Sequence, residues 1–228
     1  MVLLEGLNRL IQDSARYRDL LTLEDDEIRV EVFLLDSGER ATLIVGEEIS
    51  VVEGSSEPDL LLKMERDDFQ AILEGEADFG ALISRARASD VRPINFEILS
   101  PELGTALNDV LKAYMTFFFT PGEVKVKELR PELAGEAHGA HPIPIAYWDG
   151  LRSAWYHVVG GEVVNEEGEM DPYPQAFIIL KGRGTVVIED IEMGLRPGTV
   201  VFIPINSVHQ IRAEEDVKLI WLAWQTPP

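Results

Sequence analysis

The stretch KGRGTVVIEDIEMGLRPGTVVFIPINSVHQI, from Lys181 to Ile211, decides the fold of the second half of this chain. Short runs of Val, Ile and Phe are interrupted by Gly182-Arg183-Gly184 and by Pro197-Gly198. Glycine permits the positive φ that a tight turn requires, and proline presets φ at the first central position of a turn. The stretch therefore predicts short strands, with a hairpin at Gly182–Gly184 and a second turn at Pro197-Gly198.

The same pattern extends from Ala146 to the end of the chain, in about seven short apolar runs separated by glycine or proline. Such a pattern, without a helical period, is typical of a small β-sandwich or barrel. Residues 121–145, in contrast, are rich in Pro, Gly and Glu and show no sustained period. The sequence thus predicts an all-β domain over residues 146–228, preceded by a linker over residues 121–145.

Residues 1–120 change their hydrophobic period several times. Leu3, Leu7 and Leu10 recur at helical spacing, which predicts a first helix over residues 3–21. The following segments predict a three-strand meander over 27–54, a fourth strand over 59–64, two short helices over 66–89, a strand over 92–99 and a helix that begins after Ser100-Pro101. This order predicts an α+β domain in which helices cover an antiparallel sheet.

Composition excludes several classes of partner. The chain has 228 residues, which suits two domains of roughly 100 residues each. Its net charge of −21 argues against a groove for nucleic acid and against docking on an anionic membrane. No apolar run reaches the roughly 20 residues of a membrane helix. Because the first residues also lack the features of a signal peptide, we expect a cytoplasmic protein.

The chain contains no cysteine, so disulfides, thiolate metal sites and cysteine nucleophiles are all excluded. The sequence also lacks a phosphate-binding glycine loop, a serine nucleophile elbow and a metalloprotease helix. It therefore assigns no catalytic residue, and whether the protein is an enzyme stays open.

The second region, from about Trp155 to Trp224, resembles the cupin family of jelly-roll barrels. The resemblance rests on Gly182 to Gly184, on Pro197-Gly198 and on Pro204 followed by His209. Metal-binding cupins hold an ion with two histidines one residue apart, a carboxylate four residues later and a histidine from a second motif. The matching positions hold Glu169, Asp171, Gln175 and His209 here, so only His209 keeps the family's residue type.

Two carboxylates, an amide and one imidazole make an oxygen-rich set that suits transition metals poorly. We therefore expect no tightly held metal, with Gln175 and His209 hydrogen bonded to each other inside the barrel and with Glu169 and Asp171 at its solvated mouth. The alternative is a divalent ion held by these four residues. Magnesium, manganese or calcium suits such oxygen ligands better than zinc does, and iron is the other metal to consider.

Aromatic residues are concentrated in this second region, and some of them can line a pocket. The candidates for the barrel pocket are Tyr173, Phe177, His157 and Trp221. Two further histidines, His138 and His141, fall in the predicted linker and are interpreted as loop residues.

The first region resembles the sterol-carrier-protein family. The resemblance rests on LLDSGERATLIVGEEISVVEG followed by PDLLLKMERDDFQAILEGEADFGALI. It implies a sheet covered by helices around an apolar tunnel for lipids. The alternative is that the apolar residues of this region simply fill a core, namely Phe69, Ile72, Leu73, Leu82 and Ile83.

Three functions follow from these observations. The favoured one is a small-molecule-binding protein without tight metal, with a possible lipid pocket in the first domain and a cupin barrel that has lost its usual ligands. The alternative is a metal-dependent cupin enzyme of the dioxygenase or isomerase type. The third is a structural module, because cupin barrels commonly pair through their edge strands, and we accordingly expect a homodimer.

Overall fold

The computed structural model describes residues 2–23, 27–87, 89–148, 150–165 and 167–225. The chain divides into two compact units. The first comprises Met1–Ile83 and Val91–Glu128, and the second comprises Ser84–Asp90 and Leu129–Pro228. Among the described residues, no helix is long and apolar enough to span a membrane.

The first unit contains helices and one sheet in the predicted order. Its elements are α1 (Val2–Asp13), β1 (Ile28–Leu34), β2 (Arg40–Val45), β3 (Ile49–Glu53), β4 (Leu60–Met64), α2 (Arg66–Glu74), α3 (Phe79–Ile83), β5 (Asn95–Ile98) and α4 (Gly104–Ala113). Short 3₁₀ segments follow α1 at Ala15–Leu20 and precede α4 at Pro101–Leu103, and a π-helical turn continues α4 over Tyr114–Phe118.

The sheet has the strand order β3-β2-β1-β4-β5 and is mixed. The prediction of an antiparallel sheet is wrong at one pair, because β4 runs parallel to β1. The first three strands form a meander, so β3 runs in the same direction as β1. After β3 the chain crosses to the other side of β1 and adds β4 in that same direction.

The core of the first unit lies between the sheet and its helices. Leu3, Leu7 and Leu10 of α1 are fully buried, as their spacing predicted. A Cβ added at Gly6 would lie 2.6 Å from the side chain of Leu73, so α1 and α2 pack closely. The residues for which a simple core role was considered, Phe69, Ile72, Leu73 and Ile83, are buried in this core, and Leu82 packs against it.

Residues 121–128, which the sequence assigned to the linker, belong to the first unit. Lys127 Nζ lies 2.8 Å from Asp78 Oδ2 and donates to the carbonyl of Met115. Gly122 N donates to the carboxylate of Asp13. These polar contacts join residues far apart in sequence, so a local sequence pattern cannot predict them.

The second unit is a barrel of two sheets. Its described strands are β6 (His141–Trp148), β7 (Leu151–Val158), β8 (Val163–Val164), β9 (Gln175–Lys181), β10 (Gly184–Ile188), β11 (Ile191–Leu195), β12 (Val200–Ile203), β13 (His209–Ala213) and β14 (Val217–Trp224). One sheet has the order β12-β9-β14-β7-β6 and the other has the order β11-β10-β13-β8. Buried aliphatic residues of both sheets form the core between them.

The first strand of this unit, β6, begins at His141, inside the predicted linker. The sequence did not predict this strand because of Pro142 and Pro144, since proline lacks a backbone donor and argues against a strand. An edge strand tolerates proline, and β6 lies at the edge of its sheet. His141 is therefore a strand residue and not the loop residue that was predicted.

The predicted hairpin at Gly182–Gly184 is wrong, because β9 and β10 lie in different sheets. The glycines mark the corner at which the chain passes from one sheet to the other. A Cβ at Gly182 would lie 2.2 Å from the carbonyl oxygen of Asp216, and one at Gly184 would lie 2.3 Å from that of Arg212. The predicted turn at Pro197-Gly198 is confirmed, with Gly198 at φ +80°.

Candidate functional site

The second unit contains a partly open cavity of about 350 Å³. Six of the eight residues that the sequence predicted for the site line it, namely Glu169, Asp171, Gln175, Phe177, His209 and Trp221. His157 and Tyr173 do not belong to its lining.

One wall of the cavity is the inner face of the sheet formed by β7, β14 and β9. Ala223 of β14 lies opposite Arg152 on one side and opposite Gln175 on the other. In the next row, Trp221 lies between Ala154 and Phe177. Directly opposed residues of adjacent strands point to the same face. Arg152 and Gln175 of the first row and Phe177 and Trp221 of the second row accordingly line the cavity.

Gln175 is the first residue of β9 and is buried, with 3% of its surface exposed. Its Oε1 accepts a hydrogen bond of 2.6 Å from Trp221 Nε1. An indole nitrogen can only donate, so this contact fixes the orientation of the amide and leaves Nε2 as a donor. The predicted hydrogen bond between Gln175 and His209 is not formed, and the partner of Gln175 is instead Trp221, diagonal to it on the neighbouring strand.

His209 begins β13, on the sheet opposite Gln175, and is also 3% exposed. Its Nδ1 lies 2.9 Å from the carbonyl oxygen of Ser207. A carbonyl oxygen only accepts, so Nδ1 carries the proton, and in the neutral ring Nε2 keeps its lone pair. Among the described residues, no hydrogen bond reaches Nε2.

The two predicted carboxylates have partners within the chain. Glu169 is partly exposed and accepts from His138 Nδ1 at 2.7 Å. Asp171 Oδ1 accepts from the backbone N–H of Tyr173 at 3.0 Å. His138, interpreted from the sequence as a loop residue, is thus part of the site. The backbone N–H of Asn165 binds the His138 carbonyl and holds it there.

His157 faces away from the cavity. Its neighbour Tyr156 lines the cavity, and successive residues of a strand point to opposite faces. His157 Nε2 lies 3.5 Å from Asp216 Oδ2, and its ring stacks near Trp155. The backbone N–H of Gly160 and then His157 lower the pKa of the Asp216 carboxyl. His157, a candidate for the barrel pocket, therefore does not line this cavity, because its side chain lies on the opposite face of β7 from that of Tyr156.

Sequence reasoning missed several lining residues. Arg85 and Ala86 come from Ser84–Asp90, a segment that the sequence assigned to a helix of the first domain. Arg152 lies on β7, and its guanidinium stacks 4.8 Å from the ring centre of Tyr173. Tyr173 is thus beside the cavity and supports Arg152. No pattern in the sequence indicated that the segment with Arg85 and Ala86 would reach the cavity. Arg152 could have been found, because the alternation of side chains along a strand that placed Gln175 also applies to β7.

Two tyrosines supply hydroxyl groups to the lining. Burial raises the pKa of Tyr156, and nearby Tyr147 and Glu169 raise it further. Burial also raises the pKa of Tyr147, while Arg152 opposes and Asp171 adds to this effect. Both groups therefore remain neutral phenols at physiological pH.

The four predicted metal ligands are two carboxylates, one amide and one imidazole, a set that suits transition metals poorly. Over the described part of the chain, no three or more His, Cys, Asp or Glu side chains are grouped as metal ligands. Glu169, Asp171 and Gln175 each have an oxygen engaged by another group of the protein. The contact of His209 Nδ1 with Ser207 leaves the lone pair of the neutral ring on Nε2.

Comparison with known proteins gave a match to one family model and matches to several solved structures. The cupin domain model matches residues 154–224. A cupin 2 conserved barrel domain protein from Salinispora arenicola is 17% identical, with 45% of this chain and 90% of that chain covered and a TM-score of 0.41. A cupin superfamily protein from Desulfitobacterium hafniense is 18% identical, with 44% and 95% covered and a TM-score of 0.38.

A protein from Photorhabdus luminescens is 16% identical, with 44% of this chain and 88% of that chain covered and a TM-score of 0.40. A search of curated proteins gave no match. The match to the cupin domain model runs from within β7 to the last residue of β14 and includes Gln175, His209 and Trp221 of the cavity lining, whereas Arg152 lies outside it. Residues 154–224 of this chain are a cupin domain.

Proposed function

We propose that the cupin domain binds a small organic molecule in its cavity and does so without a tightly held metal ion. The observation that carries this proposal is the pair of polar atoms Gln175 Nε2 and His209 Nε2 on two residues that line the cavity. Neither atom has a hydrogen-bond partner among the described residues, although each residue is only 3% exposed. A polar ligand in the cavity would supply partners to both atoms.

The contact that Gln175 makes supports the metal-free part of the proposal. Gln175, at the position of the family's carboxylate ligand, is a neutral amide whose Oε1 already accepts from Trp221. Loss of that hydrogen bond on metal binding would reduce the net affinity for the ion. A single imidazole with engaged oxygen donors makes a weak transition-metal site.

We expect protein purified without chelator to contain metal well below one equivalent by elemental analysis. Added Mn²⁺, Fe²⁺ or Zn²⁺ should raise the melting temperature only slightly, because a weak ligand stabilises in proportion to its occupancy. His209→Ala should leave this small response unchanged, as should the control His157→Ala, whose imidazole lies outside the cavity. A large metal-dependent rise that both Asp171→Ala and His209→Ala abolish would instead favour the dioxygenase or isomerase alternative.

We propose a lipid or other apolar ligand for the first unit as a second candidate function. The observation that favours it is the hydroxyl of Tyr114, which is buried and has no hydrogen-bond partner among the described residues. The ring centre of Tyr114 lies 4.7 Å from that of Phe118 and 5.2 Å from that of Phe119. The polar head of an otherwise apolar ligand would satisfy this hydroxyl at little cost to the surrounding rings.

Tyr114→Phe tests this second candidate. Without ligand, removal of the unsatisfied hydroxyl should stabilise the first unit by about 1 kcal/mol. Uptake of a fluorescent fatty acid or sterol analogue should weaken, since its polar head loses a partner. Tyr17→Phe is the control, because the Tyr17 hydroxyl already accepts from the Lys125 N–H. Equal uptake by wild type and Tyr114→Phe, or no uptake by wild type, would remove the lipid proposal.

A homodimer through the cupin domain stays a prediction. The edge strand β12 carries Phe202, which is 69% exposed, and Val200, which is also exposed. Pairing of this edge with a second copy would cover apolar surface and unpaired backbone groups together. A solution mass near that of a single chain at high concentration would argue against the pairing.

A further inference from the structure

We infer that the cavity takes a small, flat hydroxy acid, with its carboxylate on Arg152 and its hydroxyl between Gln175 and His209. This inference rests on the proposed function and adds the chemical class of the ligand. Three features of the site lead to it: a guanidinium with unused donors, a matched donor and acceptor across the cavity, and a small side chain between them.

Arg152 supplies the recognition of the carboxylate. Among the described residues its guanidinium forms no hydrogen bond and no ion pair, although the chain carries 41 acidic residues. The stack on Tyr173 holds the guanidinium plane while its N–H groups remain at the edge of that plane. A planar guanidinium binds a carboxylate through two parallel hydrogen bonds, which an ammonium or an amide cannot reproduce.

Gln175 and His209 supply the recognition of the other end. The Trp221 contact leaves the Gln175 amide nitrogen as a donor, and the Ser207 contact leaves His209 Nε2 as an acceptor. A hydroxyl group can accept from the first and donate to the second. A carbonyl oxygen would satisfy only Gln175, and an ammonium would satisfy only His209.

The strand register fixes the separation of the two ends. Arg152 and Gln175 both lie opposite Ala223, on the strands to either side of β14. Their Cα atoms are therefore two inter-strand spacings apart, about 10 Å. Ala223 is the smallest side chain of this row, so no bulky side chain of β14 stands directly between Arg152 and Gln175. Phe177 and Trp221 line the adjacent row and suit a flat, apolar ring.

The remaining charged groups of the lining are the carboxylates of Glu169 and Asp171 and the guanidinium of Arg85, a mixed set that favours a ligand with few charges. Glu169 and Asp171 also line the cavity, and they would repel a second anionic group. The cavity volume of about 350 Å³ corresponds to about a dozen water-sized groups at about 30 Å³ each. A monocarboxylate with one aromatic ring and one hydroxyl meets these limits.

Calorimetric titration of the full chain with four matched probes tests the inference. The probes are 4-hydroxybenzoate, its neutral amide 4-hydroxybenzamide, the cation 4-hydroxybenzylamine, and benzoate, which lacks the hydroxyl. We expect 4-hydroxybenzoate to bind at least tenfold more tightly than each of the other three. Arg152→Gln should abolish its preference over the amide. The control Arg196→Gln removes an exposed guanidinium outside the cavity lining and should change nothing.

Each other outcome has a distinct meaning. Equal or tighter binding of the amide or the amine, unchanged by Arg152→Gln, would overturn the hydroxy-acid inference and leave the small-molecule function standing. Equal binding of benzoate would overturn the role of Gln175 and His209 in hydroxyl recognition. Failure of all four probes to bind at millimolar concentration would overturn the hydroxy-acid inference and leave the proposed function standing, because that function covers small organic molecules of other classes.

Discussion

Gly182→Ala will destabilise the cupin domain by about 3–5 kcal/mol, which combines backbone strain with overpacking. Gly182 has φ +87°, a conformation that residues with a Cβ rarely adopt. An added Cβ would also lie 2.2 Å from the Asp216 carbonyl oxygen and 2.8 Å from Val217 Cα. That backbone cannot retreat, since Val217 begins β14, which is paired with β7 on one side and with β9 on the other.

Gly198→Ala is the matched control for this prediction. Gly198 has φ +80°, but no atom lies within 4 Å of an added Cβ. Its substitution therefore introduces strain without a collision and should cost about 1–2 kcal/mol. All four tryptophans lie in the second unit, so tryptophan fluorescence during urea unfolding reports on this unit alone. Equal losses of stability in the two variants would show that the close approach at Gly182 contributes nothing.

Lys127→Met should destabilise the first unit by about 3–5 kcal/mol, the cost of leaving one partner of a buried ion pair uncompensated. The side chains of Lys127 and Asp78 are 13% and 9% exposed, and their charged atoms lie 2.8 Å apart. Asp78 also accepts from the Ala81 N–H at the start of α3. Loss of the lysine therefore leaves a carboxylate with little solvation at the end of a short helix.

Lys112→Met provides the comparison with an exposed pair. Lys112 lies 2.7 Å from Asp109, but the two side chains are 35% and 50% exposed, so its loss should cost at most about 1 kcal/mol. Circular dichroism gives the overall stability, and hydrogen exchange at α3 locates the effect in the first unit. Adding Asp78→Asn to Lys127→Met should restore part of the stability, because a neutral amide can still cap α3. Similar losses for Lys127→Met and Lys112→Met would contradict the argument from burial.

The local sequence pattern was sufficient to predict a residue's structural role where that role depends on its neighbours along the chain. The spacing of Leu3, Leu7 and Leu10 predicted the buried face of α1, and the Pro197-Gly198 pair predicted its turn. The strand alternation and the resemblance to cupins placed Gln175 and His209 at the cavity, because side chains alternate along a strand whatever the strand is paired with.

The tertiary structure decided which of these residues meet. Gln175 binds Trp221, 46 residues away, and His138 binds Glu169 across 31 residues. Arg85 reaches the cavity from a segment that precedes the barrel strands, and the glycines at 182 and 184 form a corner between sheets where a hairpin was predicted. Propensity and periodicity act over a few residues. The partners of Gln175, His138 and Gly182 depend on how distant strands are ordered and registered, which only burial of the shared core fixes.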